Sequence, residues 1–199
     1  MCNAYSRIAA LTAILSSLCF AAPVKAGPLD YGIAAYNSAD YATALRSLKP
    51  FADRGDPEAE NYLGLMNEFG RGVPQDYALA LKWYRIAAEQ GDAEAQYNLA
   101  SMYQNGKGVS KNYVEAVKWY RRAAEQGLAA GQLVLGVMYE IGMVEPKDLV
   151  SAYMWVNLAA AQSLQGAQEE REKIERQMTA AQVAEAQNLS REWRPRPER

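Results

Sequence analysis

The chain has 199 residues, half of them apolar, a formal net charge of −2 and no histidine. That is enough apolar sequence for a folded core, and it excludes wholesale disorder. The near-neutral charge leaves no electrostatic footprint for nucleic acid, and the missing histidine removes the commonest general base and the commonest transition-metal ligand together.

Residues 1–26 read as a secretory signal. Arg7 supplies the charged start, Ile8 to Ala22 form an apolar stretch of suitable length, and Val24-Lys25-Ala26 places small residues where a signal peptidase needs them before Gly27. The run is short for a membrane span, which takes about 20 apolar residues. Leu18 directly before Cys19 also departs from a lipoprotein cleavage box. The expectation is cleavage after Ala26, a periplasmic or secreted product, and no stable membrane span afterwards. Cleavage removes Cys2 and Cys19, the only cysteines, and with them any disulfide or thiol nucleophile.

From Gly27 onward a 36-residue period organises the chain, the mark of units that bury their apolar faces by stacking. Residues 27–56 form a short first unit. Tyr41, Ala44, Leu45, Ala52 and Gly55 fall 36 residues before Tyr77, Ala80, Leu81, Ala88 and Gly91, and Asn37-Ser38-Ala39-Asp40 makes a tight turn between two helices. Residues 57–92, 93–128 and 129–164 are full units. Ala59, Ala95 and Gly131 share a position, as do Leu63, Leu99 and Leu135, Met66, Met102 and Met138, and Gly70, Gly106 and Gly142. The apolar offsets predict a first helix over about Pro57 to Phe69, with copies beginning near Ala93 and Leu128. Gly64, Ala100 and Gly136 are small enough to admit a second helix at close range, and Gly70 is placed to close the first helix in the left-handed region.

A glycine loop follows each first helix, Gly70-Arg71-Gly72-Val73-Pro74 and then Gly106-Lys107-Gly108-Val109-Ser110. It follows a helix rather than a strand and lacks the Gly-Lys-Ser/Thr ending, so it reads as a turn and not a phosphate cradle. Asp76, Asn112 and Asp148 then suit helix N-caps. The second helix, about Asp76 to Gln90, should bury Tyr77, Ala80, Leu81, Tyr84 and Ala88, while Arg85 and Glu89, and Arg122 and Gln126, should face solvent. Trp83, Trp119 and Trp155 recur in it at the 36-residue spacing, inside Lys82-Trp83-Tyr84, Lys118-Trp119-Tyr120 and the looser Met154-Trp155-Val156. A tryptophan fixed at one helical position in stacked units is expected to pack helices together. In the third unit Val144 stands where Gly72 and Gly108 stand, so that loop should differ in shape. Residues 165–193 should cap the stack, which otherwise leaves its last face in water. A charged helix is expected over Gln165 to Met178, then a capping box at Thr179-Ala180-Ala181-Gln182, then a helix with Val183, Ala186, Leu189 and Trp193 on one face. Residues 194–199 are expected to be a disordered tail.

These residues resemble the Sel1-like repeat family, relatives of the tetratricopeptide repeats. The second full unit carries the family pattern at Ala95, Leu99, Tyr103, Gly106, Gly108, Val109, Ala116, Trp119, Tyr120, Ala123, Ala124 and Gly127, departing from it at Ala100 and Asn112. The unit before it carries Ala59, Leu63, Gly64, Gly70, Gly72, Val73, Asp76, Ala80, Trp83, Tyr84, Ala87, Ala88 and Gly91, with Asn67 at the tyrosine position. The resemblance implies an all-α, right-handed solenoid of antiparallel helix pairs with adaptor or scaffold roles.

Little in the chain suits catalysis. Glu58, Glu60, Glu89, Asp92 and Glu94 lie near helix ends, where acids suit solvent and the helix dipole, and no spacing singles out a pair for acid–base work. No catalytic residue, metal site or cofactor is expected. A solenoid binds with its concave face, and the candidates there are Asn61, Asn67, Glu68, Gln96, Tyr103, Gln104, Gln132, Tyr139 and Glu140. Their mixture of amide, phenol and acid suits a protein or peptide partner in the cell envelope; a cell-wall or exopolysaccharide glycan is the alternative. Cysteine-rich members of the family are associated with β-lactam hydrolysis, but the mature chain lacks their cysteine pairs.

Overall fold

The computed structural model describes residues 27–143 and 146–196. The secretory-signal reading and the altered loop at Val144 therefore fall outside the described residues. The described residues form ten helices and no strand: α1 (Pro28–Asn37), α2 (Tyr41–Ala52), α3 (Pro57–Phe69), α4 (Tyr77–Glu89), α5 (Ala93–Asn105), α6 (Tyr113–Glu125), α7 (Ala129–Glu140), α8 (Leu149–Ala161), α9 (Ala167–Glu175) and α10 (Ala180–Glu192). The helix starts follow from local chemistry. The side chains of Asp40, Asp56, Asp76, Asp92, Asn112 and Asp148 each accept a hydrogen bond from a backbone N–H in the first turn that follows, which satisfies a donor the helix itself cannot. Gly70 and Gly106 close α3 and α5 with φ of 65° and 72°.

Helices pack in chain order, each against its neighbours, from α1 to α9. The first helices α3 and α5 also touch across the intervening helix, as do α7 and α9, so the first-helix side is the inside of the curve. The close approach expected of the small residues is present. A Cβ on Gly64 would stand 2.5 Å from the Tyr84 ring, and one on Gly136 would stand 2.5 Å from Val156 and 2.9 Å from the Ala152 carbonyl oxygen. Gly108 is held for a second reason. It has φ of 65° and presses on the backbone of the preceding unit, where a Cβ would meet the Tyr77 carbonyl oxygen at 2.5 Å.

The tryptophans pack between units. Trp119 and Trp155 are buried, Trp155 lies with Ala124 of the preceding unit and Leu135, and Trp83 lies half-buried against the core of the first two units. Tyr77 departs from its expected burial and is 36% exposed. As the first residue of α4 it sits on the loop edge, beneath Gly108, rather than between helices.

The C-terminal cap differs most from expectation. α9 spans only Ala167–Glu175, and α10 lies along α8. Its buried face is Val183, Ala186 and Ser190, with Leu189 left 40% exposed. Ser190 Oγ donates to the Ala186 carbonyl, and the Trp193 ring meets Trp155 edge-to-face at 6.1 Å. The chain beyond α10 does not fray at once: Arg196 N–H donates to the Glu125 carbonyl at 2.8 Å, and Pro195 lies over Gly127. This explains why Lys82 and Lys118 give way to Met154 in the third unit. That position is solvent-exposed in α4 and α6 but lies beneath α10 in α8.

Candidate functional site on the first-helix face

Six of the nine expected binding residues are buried. Asn61, Asn67, Glu68, Gln96, Gln132 and Glu140 are between 0% and 7% exposed, and each serves as an internal connector. For the two glutamines the physical reason is the need to satisfy backbone carbonyls where one unit ends against the next. Gln96 Nε2 donates to the Ala88 carbonyl at 3.1 Å and Gln132 Nε2 to the Ala124 carbonyl at 3.3 Å. Gln126 Nε2 then donates to Gln96 Oε1 and to the Gly91 carbonyl, both at 2.9 Å. Gln162 repeats this one unit later, toward Gln132 at 2.9 Å and the Gly127 carbonyl at 3.0 Å. Gln90 makes the first rung, toward Glu60 at 2.7 Å. Gln126 is therefore part of a ladder stitching the units together and not a solvated face. The signal was in the sequence: Glu60, Gln96 and Gln132 recur with the repeat, each 30 residues before Gln90, Gln126 and Gln162.

A second set joins the other end of the helices. Glu68 accepts from the Tyr84 hydroxyl and from Lys107 Nζ, both at 2.9 Å. Gln104 accepts from the Tyr120 hydroxyl at 2.7 Å, and Glu140 accepts from Gln177 at 2.8 Å and Lys173 at 3.1 Å. Burial pushes the Glu140 carboxyl up, but the hydrogen bonds from Gln177 and Lys173 outweigh it and hold it below the ordinary carboxylate value. Burial drives the Tyr84 and Tyr120 phenols up. The basic loop residues reach back one unit, Arg71 to the Tyr36 hydroxyl and Lys107 to Glu68, so their place in the glycine loops is structural. Asn67 Nδ2 donates to the Leu63 carbonyl at 2.7 Å. Tyr103 and Tyr139 remain half-exposed, and their hydroxyls accept from Arg85 at 2.8 Å and Arg121 at 3.1 Å. Arg85 makes its bond from the exposed face expected of it.

The surface the first helices do present is built from other residues. Tyr62, Asn98 and Val134 share one register position and Leu65, Ser101 and Val137 another, and all six are half-buried. Two of them, Leu65 and Asn98, line a cleft of about 230 Å³ together with Glu94, Tyr97, Leu128 and Ala130. Asn98 Nδ2 donates to Asn61 Oδ1 at 2.9 Å beneath it. The nearby acids are electrostatically strained. Burial raises the Asp92 carboxyl to about 6, with Glu94, Glu58 and Asp56 adding to the effect. Burial likewise raises Glu58 and Glu60. Sequence reasoning missed this surface because it weighed polar character over position. The useful signal was that these register positions change from unit to unit while Leu63, Leu99 and Leu135 do not.

Among the described residues no group of His, Cys, Asp and Glu is arranged to hold a metal ion, and no helix is long and apolar enough to cross a membrane. The family model for the Sel1 repeat matches residues 57–92, 93–128 and 129–164. No curated protein matches the chain. Among solved structures it is similar to a Sel1 repeat protein from Oxalobacter formigenes, at 36% identity and a TM-score of 0.68, covering 76% of this chain and 61% of that one. It is also similar to a protective antigen present in uropathogenic Escherichia coli strains that displays an SLR fold, at 27% identity and a TM-score of 0.52, covering 84% of this chain and 45% of that one. The chain thus spans less than two thirds of the length of either. Three matched repeats covering more than half of the sequence, folded as helix pairs stacked in chain order, make this protein a member of the Sel1-repeat family.

Proposed function

We propose that the protein is a non-enzymatic scaffold of the bacterial periplasm that binds a partner protein or peptide along the inner face formed by α3, α5 and α7. Sel1 repeats commonly serve as protein-interaction scaffolds, which supports the coarse reading. The observation that carries the finer one is the division of labour along the first helices. Positions that face the core repeat from unit to unit and are fully buried, as at Leu63, Leu99 and Leu135. Half-buried positions beside them change chemistry, from Tyr62 to Asn98 to Val134 and from Leu65 to Ser101 to Val137. A surface that varies on an invariant scaffold is what selective recognition requires. The periplasmic assignment rests on residues 1–26 and is checked by the N-terminal mass of the envelope-purified protein, which should begin at Gly27.

The binding face is tested by placing a photo-crosslinking amino acid at Ser101, on the inner face, or at Lys118, on the outer face, in cells. Adducts to one protein from Ser101 and none from Lys118 support the reading. Equal labelling from both positions, or none from Ser101, refutes it.

A further inference from the structure

The inner-face cleft has a polarity that narrows what fills it. Its volume of about 230 Å³ lies below the roughly 300–1,000 Å³ of small-molecule sites and suits one long side chain. Its two walls differ in character. The wall from α3 and α7 is aliphatic, made by Leu65, Leu128 and Ala130, whereas the wall from α5 carries the exposed Glu94 carboxylate beside the Tyr97 ring and Asn98. Glu58 belongs to the same region: burial raises its carboxyl, and the charges of Asp56, Asp30 and Glu94 add to the effect. Among the described residues no lysine or arginine pairs with Glu58 or Glu94.

Leu128 is the most informative of these residues. It occupies the position held by Asp56 and Asp92 in the preceding units, both of which cap their helices. α7 consequently starts without a side-chain cap, a loss of helix stability that places an apolar side chain in the cleft. In the same unit Ala130 stands where Glu58 and Glu94 stand. The third unit has given up two acids where the cleft needs an aliphatic wall, and the second unit has kept its acid.

We propose that this cleft is a specificity pocket for a single lysine or arginine side chain of an extended partner peptide. The aliphatic stem lies against Leu65, Leu128 and Ala130, and the cationic head meets the Glu94 carboxylate. Long basic side chains have this amphipathic build, an apolar stem with a charged tip. The Tyr97 ring adds a face for the cation. The proposal rests on the inner-face reading above and goes further by naming the chemistry recognised.

The test uses the full chain and a positional-scanning decapeptide library in which one position is fixed in turn as each amino acid. Fixed lysine or arginine should retain the protein about tenfold better than fixed alanine or glutamate, from stem burial and the charge pair together. Glu94→Gln should reduce that preference to about threefold or less while the same peptides still bind. Glu94→Lys should transfer the preference to fixed aspartate or glutamate. Glu94 is exposed, so both variants should keep the parent's circular dichroism. Peptides that bind without any preference for a basic residue overturn the pocket and leave the inner-face reading standing. A preference unchanged in Glu94→Gln also overturns it. A chain that retains no peptide of the library overturns both.

Discussion

Gly136→Ala is the sharpest test of how the helix pairs close. A Cβ there would lie 2.5 Å from Val156 Cγ2, 2.9 Å from the Ala152 carbonyl oxygen and 3.1 Å from the Val156 backbone nitrogen. Two of these three atoms are backbone, so no side-chain rotation relieves the clash and α7 must move away from α8. Alanine inside a helix gains about 1 kcal/mol over glycine. Overpacking a fitted core costs about 1–3 kcal/mol, and contact with backbone places this site at the upper end. The net expectation is a loss of about 2 kcal/mol, which lowers Tm by about 4–8 °C for a chain of this size.

Ala100→Gly supplies the opposite case. Ala100 stands at the same register position, fully buried, and α6 already accommodates its methyl. Removing it forfeits helix propensity and should destabilise by about 1 kcal/mol. Both variants are read by thermal and urea unfolding followed by far-UV circular dichroism. Gly136→Ala at or above the parent's stability would show that helix propensity outweighs close approach here, and the packing argument would fail.

Trp119→Ala should destabilise by about 3–5 kcal/mol, the usual loss for truncating a buried aromatic, and an unchanged urea midpoint would refute its role between units. Gln96→Ala removes the side-chain donor to the Ala88 carbonyl and one of the two acceptors of the Gln126 amide and should lower stability by about 1–3 kcal/mol; the check is the same unfolding assay, and a neutral result would remove the ladder from the stability account. The Asp92 carboxyl titrates at about 6 in the folded chain because burial disfavours its charge, against about 3.9 unfolded. The folded state therefore holds that proton more tightly, and this contribution is full below about pH 4 and lost as pH rises to about 6, by about 1–2 kcal/mol after solvent screening. Asp92→Asn retains a capping oxygen, so it should raise stability at pH 7 and lessen the fall between pH 4 and 6; a pH profile identical to the parent's refutes the assignment.

The repeat was legible because stacking imposes itself on the chain at fixed intervals. Leu63, Leu99 and Leu135 are buried in equivalent places, and a residue that must fill the same gap in each unit has little freedom to vary. The caps were legible too, because Asp76 and Asp148 bond to backbone only three residues or fewer away. Local partners of this kind are visible at the spacing of the sequence itself.

The site was less legible for the converse reason. Gln96 and Gln132 looked like binding residues because an amide is polar, yet their partners lie on neighbouring helices 8 and 30 residues away. Whether a polar side chain faces solvent or a buried carbonyl depends on how the helix pair rotates about its axis, and neither composition nor period contains that angle. The same holds for α10, whose heptad-like apolar spacing suggested Leu189 while its docking on α8 buried Ser190. By itself the sequence determined that the protein is an all-α stack of capped, 36-residue helix pairs, since that follows from periodicity and short-range bonding. Only the tertiary structure decided which first-helix residues remain open, because burial is a property of neighbours brought together from different units.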